Sequence, residues 1–239
     1  MQTQIIEYQC EDLIMEGFLA IGDTVLEKQP LILVAHDWSG QREFVQDKAK
    51  YFAKQGFIGF AVDLYGKGKR GSDIDKSINQ ELLNELLQDR SVIVTRLQAA
   101  LNYALDLPTV DSNRIMAVGF CMGGMSVLDF ARSGAKIGGV VSIHGILGRP
   151  ETPSASTINA KVLVLQGHDD PMATPQHIID FEAEMTSKGV DWQVHVFGNT
   201  VHAFTNPKAE DLNAGLLFAP SANARTWELV RNFATEIFA

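Results

Sequence analysis

Continuous apolar runs and segments of helical spacing alternate along this chain. An opening pair of short strands is expected at residues 5–9 and 13–20, joined by a turn at Glu11 and Asp12. Uninterrupted apolar runs are typical of buried strands. They predict further strands at residues 31–35, 57–62, 115–118, 139–143, 162–166 and 194–197. Helical spacing covers residues 44–55, 79–105 with a break near Asp89 and Arg90, a segment ending near Arg132, residues 175–187, and residues 225–238.

This repeated strand–helix alternation predicts an α/β fold with a mostly parallel central sheet and helices on both faces. The sequence contains no internal repeat, low-complexity tract or Pro-rich linker. We therefore expect residues 1–239 to form one domain. A polar loop at residues 67–75 contains glycine and charged residues, and the sequence leaves open whether it is a mobile lid.

Composition and charge exclude several classes of partner. Apolar residues make up 46% of the 239 residues and charged residues 21%, and the formal net charge is −9. An acidic chain of this kind is not expected to bind nucleic acid or anionic membranes. Neither a secretory signal nor a long apolar segment is evident. Two cysteines, Cys10 and Cys121, show no disulfide or metal-binding pattern, so a cytoplasmic location is expected. The oligomeric state stays open.

The segment from Gly119 to Gly124 carries the strongest chemical signal. It reads Gly-Phe-Cys-Met-Gly-Gly, follows an apolar strand and opens a predicted helix. This is the pattern of a nucleophile elbow, G-x-nucleophile-x-G, with Cys121 where serine is commoner. The strained turn requires flanking glycines. Because the thiolate would lie at a helix N-terminus, the pattern predicts a hydrolase with a thiol nucleophile. The alternative for Cys121 is a buried small apolar residue.

A general base and an acid that orients it are expected after later strands of the sheet. Asp170 follows the strand at 162–166 in the spacing G-x-x-D-P, with the neighbouring Asp169 as its competitor. His202 follows the last predicted strand and precedes the final helix. Cys121, Asp170 and His202 then occur in the nucleophile–acid–histidine order of α/β-hydrolases. The backbone N–H groups of Met122 and Trp38 are the expected oxyanion donors.

These motifs resemble the dienelactone hydrolase (carboxymethylenebutenolidase) family, of the α/β-hydrolase superfamily. The resemblance rests on residues 119–124, 167–171 and 202–204, with support from residues 35–40 and 61–66. It implies hydrolysis of a small carboxylic ester or lactone through an acyl-thioester on Cys121. It also implies an acidic residue that interacts with the resting thiol. That position holds Asp37 here, one methylene shorter than the usual Glu.

The resemblance is less specific for the substrate. The family's dienelactone-cleaving enzyme uses arginines for the substrate carboxylate, and one is expected four residues after the histidine, where this chain has Asn206. Arg90, Arg70 and Lys69 are alternative cations. Tyr65, Phe204, Trp38 and Met125 are candidate pocket residues, each of which could equally belong to the core. No cofactor is implied.

The sequence also permits other functions. A broader esterase or thioesterase would share the same triad, because the pocket selects the substrate. A redox-sensing or binding protein would use the Cys121 thiol without turnover, although no second cysteine lies near it in the sequence. A metal-dependent hydrolase is disfavoured because His168, Asp169 and Asp170 lack a further ligand at a typical spacing.

Overall fold

An eight-stranded sheet organises the chain in the computed structural model, which describes residues 1–23, 27–151 and 157–239. Its strands, in chain order, are β1 (Gln2–Cys10), β2 (Leu13–Ile21), β3 (Gln29–Ala35), β4 (Ile58–Ala61), β5 (Val110–Phe120), β6 (Gly139–Ile143), β7 (Lys161–Gly167) and β8 (Trp192–Phe197). Their order in the sheet is β1-β2-β4-β3-β5-β6-β7-β8. The predicted fold class, a mostly parallel α/β sheet, is confirmed.

The described residues also form six helices. They are α1 (Glu43–Ala53), α2 (Lys76–Leu87), α3 (Ser91–Leu105), α4 (Met122–Arg132), α5 (Pro175–Ser187) and α6 (Pro220–Phe238). Two-residue strands β9 (Glu210–Asp211) and β10 (Leu216–Leu217) form a separate antiparallel pair. The chain divides into two compact units, Met1–Val118 and Gly119–Ala239. The assignment of a single domain stays a prediction.

The first unit begins with an antiparallel arrangement and continues in parallel. β1 pairs antiparallel with β2, and β2 pairs antiparallel with β4. β3 then runs parallel to β4, and every residue of β3 is buried. The helical segment predicted over residues 79–105 is two helices. The break lies where the sequence predicted it, and the Asp89 carboxylate accepts a hydrogen bond from the backbone N–H of Ser91 there.

The second unit is built on parallel strands that end beside the candidate nucleophile and acid. β6 pairs parallel with β7, and β7 with β8. α5 begins at a capping box on Thr174, with Pro175 in the first turn, where proline is tolerated. The predicted start of the final helix at Arg225 was wrong. α6 begins five residues earlier, at Pro220, because proline fits the first helical turn and nothing between it and Arg225 interrupts a helix.

Strand lengths and the hairpin also differ from the sequence-based expectation. β5 begins at Val110 rather than at residue 115, because the extended backbone includes the polar residues that precede the apolar run. The β9–β10 pair was not predicted, since two-residue strands leave no periodic pattern. No helix in the described residues combines the length and apolar character needed to cross a membrane.

Candidate active site

Cys121 occupies the strained turn that the sequence predicted. It directly precedes α4 and has φ +55°, a left-handed conformation that is uncommon for a residue with a side chain. Its backbone N–H donates to the carbonyl of Ile143 at 3.1 Å, which ties the turn to β6. A Cβ atom on Gly119 would lie 1.9 Å from the carbonyl oxygen of Gly123. Glycine is therefore required at this position for the turn to close.

The Asp170 carboxylate is buried and has four hydrogen-bond donors. Its Oδ2 accepts from Nδ1 of His202 at 2.7 Å and from Nε2 of Gln166 at 2.6 Å. Its Oδ1 accepts from the backbone N–H groups of Met172 and Ala173 at 2.8 and 3.2 Å. These donors fix both carboxylate oxygens. The neighbouring Asp169 is exposed, so the structure brings Asp170 and not its competitor to the histidine.

His202 is held by its backbone as well as by its ring. Its N–H donates to the carbonyl of Gly215 at 2.9 Å, and its own carbonyl accepts from Leu217 at 3.2 Å. The β9–β10 hairpin thus pairs with the loop that carries the histidine. On the preceding segment, a Cβ on Gly167 would lie 2.3 Å from the carbonyl of Thr200, so glycine lets this loop approach the end of β7.

The charges around His202 favour its protonated form. Burial by itself lowers the pKa of His202, but the negative charge of Cys121 and the hydrogen bond to Asp170 outweigh it and raise the pKa to about 10. Nε2 is buried, and no nitrogen or oxygen partner lies within hydrogen-bond distance of it in the described parts of the chain. The arrangement can therefore hold an imidazolium beside the Cys121 side chain. The Cys121 side chain itself is half-buried.

The predicted residues of the first unit have local partners. Asp37 accepts hydrogen bonds from the backbone N–H and the hydroxyl of Ser39, at 2.8 and 2.5 Å. Tyr65 is buried, and its hydroxyl donates to the carbonyl of Trp38 at 3.0 Å. Arg90 is half-buried and precedes α3. The thiol-modulating, oxyanion and substrate-binding roles assigned to these residues stay predictions.

Two of the alternative cations are engaged elsewhere. Arg70 forms ion pairs with Glu16 at 3.0 Å and with the buried Asp63 at 3.5 Å. Lys69 pairs with Glu85 at 2.8 Å on the surface. Both side chains thus neutralise carboxylates of the protein, which disfavours them as ligands of a substrate carboxylate.

Two further predicted positions lie in the histidine loop of the second unit. Phe204 is fully buried and packs edge-on against the rings of His144 and Phe197, which favours the core role that the sequence left open for it. The Asn206 side chain accepts from the backbone N–H of Lys208 at 3.0 Å and so stabilises a turn. Over residues 1–23, 27–151 and 157–239, no cluster of three or more His, Cys, Asp or Glu could hold a metal ion.

Sequence reasoning missed several residues that support the site. Gln166 donates to the Asp170 carboxylate, and the β9–β10 hairpin holds the backbone of His202. Gln166 was included in a predicted strand, but nothing in a single sequence tells which buried side chain faces Asp170. The ring of His144 lies 5.0 Å from the ring of His202, a contact that no sequence motif indicates.

Comparisons with known proteins indicate the family of this chain. A family model described as "Dienelactone hydrolase family" matches residues 15–238. The solved structure m3DLH is 33% identical in sequence and has a TM-score of 0.93, and the match covers 100% of this chain and 99% of the m3DLH chain. The crystal structure of P91, a dienelactone hydrolase-like promiscuous phosphotriesterase from metagenomic libraries, is 29% identical with the same coverage and a TM-score of 0.93.

A protein of Aquifex aeolicus (strain VF5), named "Putative carboxymethylenebutenolidase", is 28% identical over 237 residues, which are 96% of each chain. The family model spans nearly the whole chain, and these relatives are matched along their full length. The chain is therefore a hydrolase that belongs to the dienelactone hydrolase family.

Proposed function

We propose that this protein hydrolyses small carboxylic esters or lactones with Cys121 as nucleophile, His202 as proton carrier and Asp170 as the group that orients His202. One observation carries the proposal. A cysteine in a left-handed turn at a helix N-terminus lies beside a buried histidine, and its negative charge raises the pKa of that histidine. The hydrogen bond from His202 Nδ1 to Asp170 leaves Nε2 for the thiol and its substrate.

Acylation begins from the thiolate–imidazolium pair. The Cys121 sulfur attacks the carbonyl carbon, an S–C bond forms, and the carbonyl π electrons move to oxygen. Met122 opens α4, so its backbone N–H lies at the positive end of the helix dipole and is the expected donor to this oxyanion. Collapse breaks the C–O bond of the ester. The leaving alkoxide takes the proton from His202 Nε2, and an acyl-thioester remains.

Deacylation follows from the change in charge. Once the sulfur is acylated it no longer bears a negative charge, so the strongest influence that raises the pKa of His202 is lost. Burial then favours the neutral imidazole, which can accept a proton from water. The resulting hydroxide attacks the thioester, the C–S bond breaks, and the carboxylic acid leaves. The proton on His202 regenerates the starting ion pair with the Cys121 thiolate.

The substrate class is best described as neutral esters and lactones. Asn206 stands where the family's dienelactone-cleaving enzyme is expected to have an arginine, and its side chain is used in a turn. A second candidate, hydrolysis of phosphate triesters, is favoured by the full-length similarity to P91, which is described as a promiscuous phosphotriesterase. The same thiolate would attack phosphorus instead of carbon, an S–P bond would form, and the P–O bond to the leaving group would break. The leaving oxygen would take the proton from His202 Nε2, and water would then cleave the S–P bond.

The test compares the intact protein with Cys121→Ala and, as a matched control, Cys10→Ala. Each is assayed on a p-nitrophenyl acyl ester, dienelactone and a p-nitrophenyl phosphate triester. Cys10 is buried in β1 of the first unit, so its replacement also removes a thiol without touching the nucleophile. We expect turnover of the acyl ester by the intact protein and by Cys10→Ala. Cys121→Ala is expected to lose at least about 10³-fold in kcat.

Each outcome has a definite meaning. Hydrolysis of the acyl ester without dienelactone supports the neutral-ester assignment, whereas dienelactone as the better substrate contradicts it. Triester turnover that depends on Cys121 adds the second activity. Activity that persists in Cys121→Ala overturns the thiol mechanism. Activity in none of the assays favours a thiol-based sensor or binding protein over an esterase.

A further inference from the structure

His144 is connected to the segments that carry the three residues of the candidate triad. It directly follows β6 and has φ +40°, so its backbone is left-handed like that of Cys121. The residue before it, Ile143, accepts the backbone hydrogen bond of Cys121. Its own N–H donates to the carbonyl of Leu165 at 2.8 Å, on the strand that leads to Asp170. Strained residues of this kind persist where the surrounding structure fixes them.

The His144 ring contacts the base directly. Its centroid lies 5.0 Å from that of His202, with the two ring planes at 64°, an edge-to-face arrangement. It also lies 6.0 Å from the ring of Phe120, the residue before the nucleophile, and 5.2 Å from Phe204. One buried imidazole therefore packs against both the segment that carries the nucleophile and the loop that carries the base.

A hydrogen bond holds this ring in place. His144 Nε2 lies 2.9 Å from the hydroxyl of Thr205, and both residues are buried. Thr205 comes three residues after His202, so the bond ties β6 to the loop of the base. The bond between His202 and Asp170 fixes one edge of the catalytic ring but still permits the ring to swing about that contact. A second ring packed edge-on limits the swing.

We propose that His144, anchored by Thr205, is a positioning residue that keeps the His202 ring aligned for proton transfer at Nε2. The inference rests on the proposed function, because it concerns the same Cys121–His202 pair. The His144 ring contacts the His202 ring, and its expected role is to limit the movement of that ring. Its loss therefore lowers kcat through misalignment and leaves KM nearly unchanged.

The test uses Thr205 to release the ring without altering the strained residue. Thr205→Val keeps the side-chain shape and removes the hydroxyl, whereas Thr205→Ser keeps the hydroxyl. The matched control is Thr226→Val on α6. Thr226 is equally buried, and no hydrogen-bond partner of its hydroxyl is found in the described chain. For each variant, kcat and KM on the p-nitrophenyl ester and the thermal unfolding temperature are measured. Cys121→Ala is assayed in the same way.

We expect Thr205→Val to lower kcat about tenfold with KM within about twofold of the parent, and Thr205→Ser to recover most of the loss. Thr226→Val is expected to keep the parent kcat. The double variant His144→Phe/Thr205→Val is expected to have a kcat no lower than that of the more impaired of its two single variants, since both changes break the same contact. Unchanged kcat in Thr205→Val, no recovery by Ser, or an equal loss in Thr226→Val overturns the inference. Activity in Cys121→Ala overturns the proposed function instead.

Discussion

Replacing Gly119 by alanine is expected to distort the turn around Cys121 more than any other glycine-to-alanine replacement within residues 119–239. The added Cβ would lie 1.9 Å from the carbonyl oxygen of Gly123 and 2.7 Å from the backbone nitrogen of Gly124, whereas ordinary contacts begin at 3.4 Å. The obstacle is backbone in the first turn of α4, so no side-chain rotation relieves it. The turn has to move by more than about 1 Å, and overpacking of this kind costs about 3 kcal/mol.

A displacement of that size also moves Cys121. Misplacing a reacting group by about 1 Å typically costs about 100-fold in rate. We expect Gly119→Ala to lower kcat/KM for a p-nitrophenyl ester about 100-fold and to lower Tm by roughly 6–12 °C. The matched control is Gly198→Ala, where nothing lies within 4 Å of the new Cβ. Parent-like turnover and Tm in Gly119→Ala would show that the turn has been misassigned.

Three further predictions concern the charges of the triad. In Asp170→Asn, the new amide NH₂ group has to face either the two backbone N–H donors or the Gln166 and His202 donors, so a donor is placed against donors. We therefore expect kcat to fall about 10³–10⁴-fold, and a loss below about tenfold would contradict the orienting role of Asp170. In Cys121→Ala the pKa of His202, followed by NMR, is expected to drop well below about 10, because the negative charge that raises it is gone; an unchanged pKa would refute that cause. Iodoacetamide should label Cys121 at least about tenfold faster than Cys10, because burial raises the pKa of the Cys10 thiol. Equal labelling rates in the folded protein would count against an activated Cys121 thiol.

The candidate triad could be proposed from the sequence because each member belongs to a short local pattern. Gly119 and Gly123 are needed for the turn around Cys121, and that requirement is written in adjacent residues. Asp170 and His202 each follow an apolar strand, and parallel strands bring their carboxyl ends to one edge of a sheet. The fold class was predictable for the same reason, since buried parallel strands are continuous apolar runs.

The supporting contacts were not predictable because they depend on tertiary approach. His144 and Thr205 are 61 positions apart, and neither lies in a motif. The backbone of His202 pairs with a hairpin whose strands have two residues each, too short for any period to appear. Strand ends differed as well, because β5 includes polar residues such as Asp111 that a hydrophobic pattern excludes. Local patterns indicate the candidate reacting groups, and tertiary packing determines how those groups are held.

The most direct test of the account is to identify the covalent intermediate. The protein is mixed with a p-nitrophenyl acyl ester, quenched in acid within the first turnovers, digested and analysed by mass spectrometry. We predict one added acyl group on the peptide that contains Cys121 and none on the peptide that contains Cys10. The acylated peptide should disappear when the substrate is exhausted. Acyl groups found on another side chain, or turnover with Cys121 unmodified throughout, would contradict thiol catalysis by this protein.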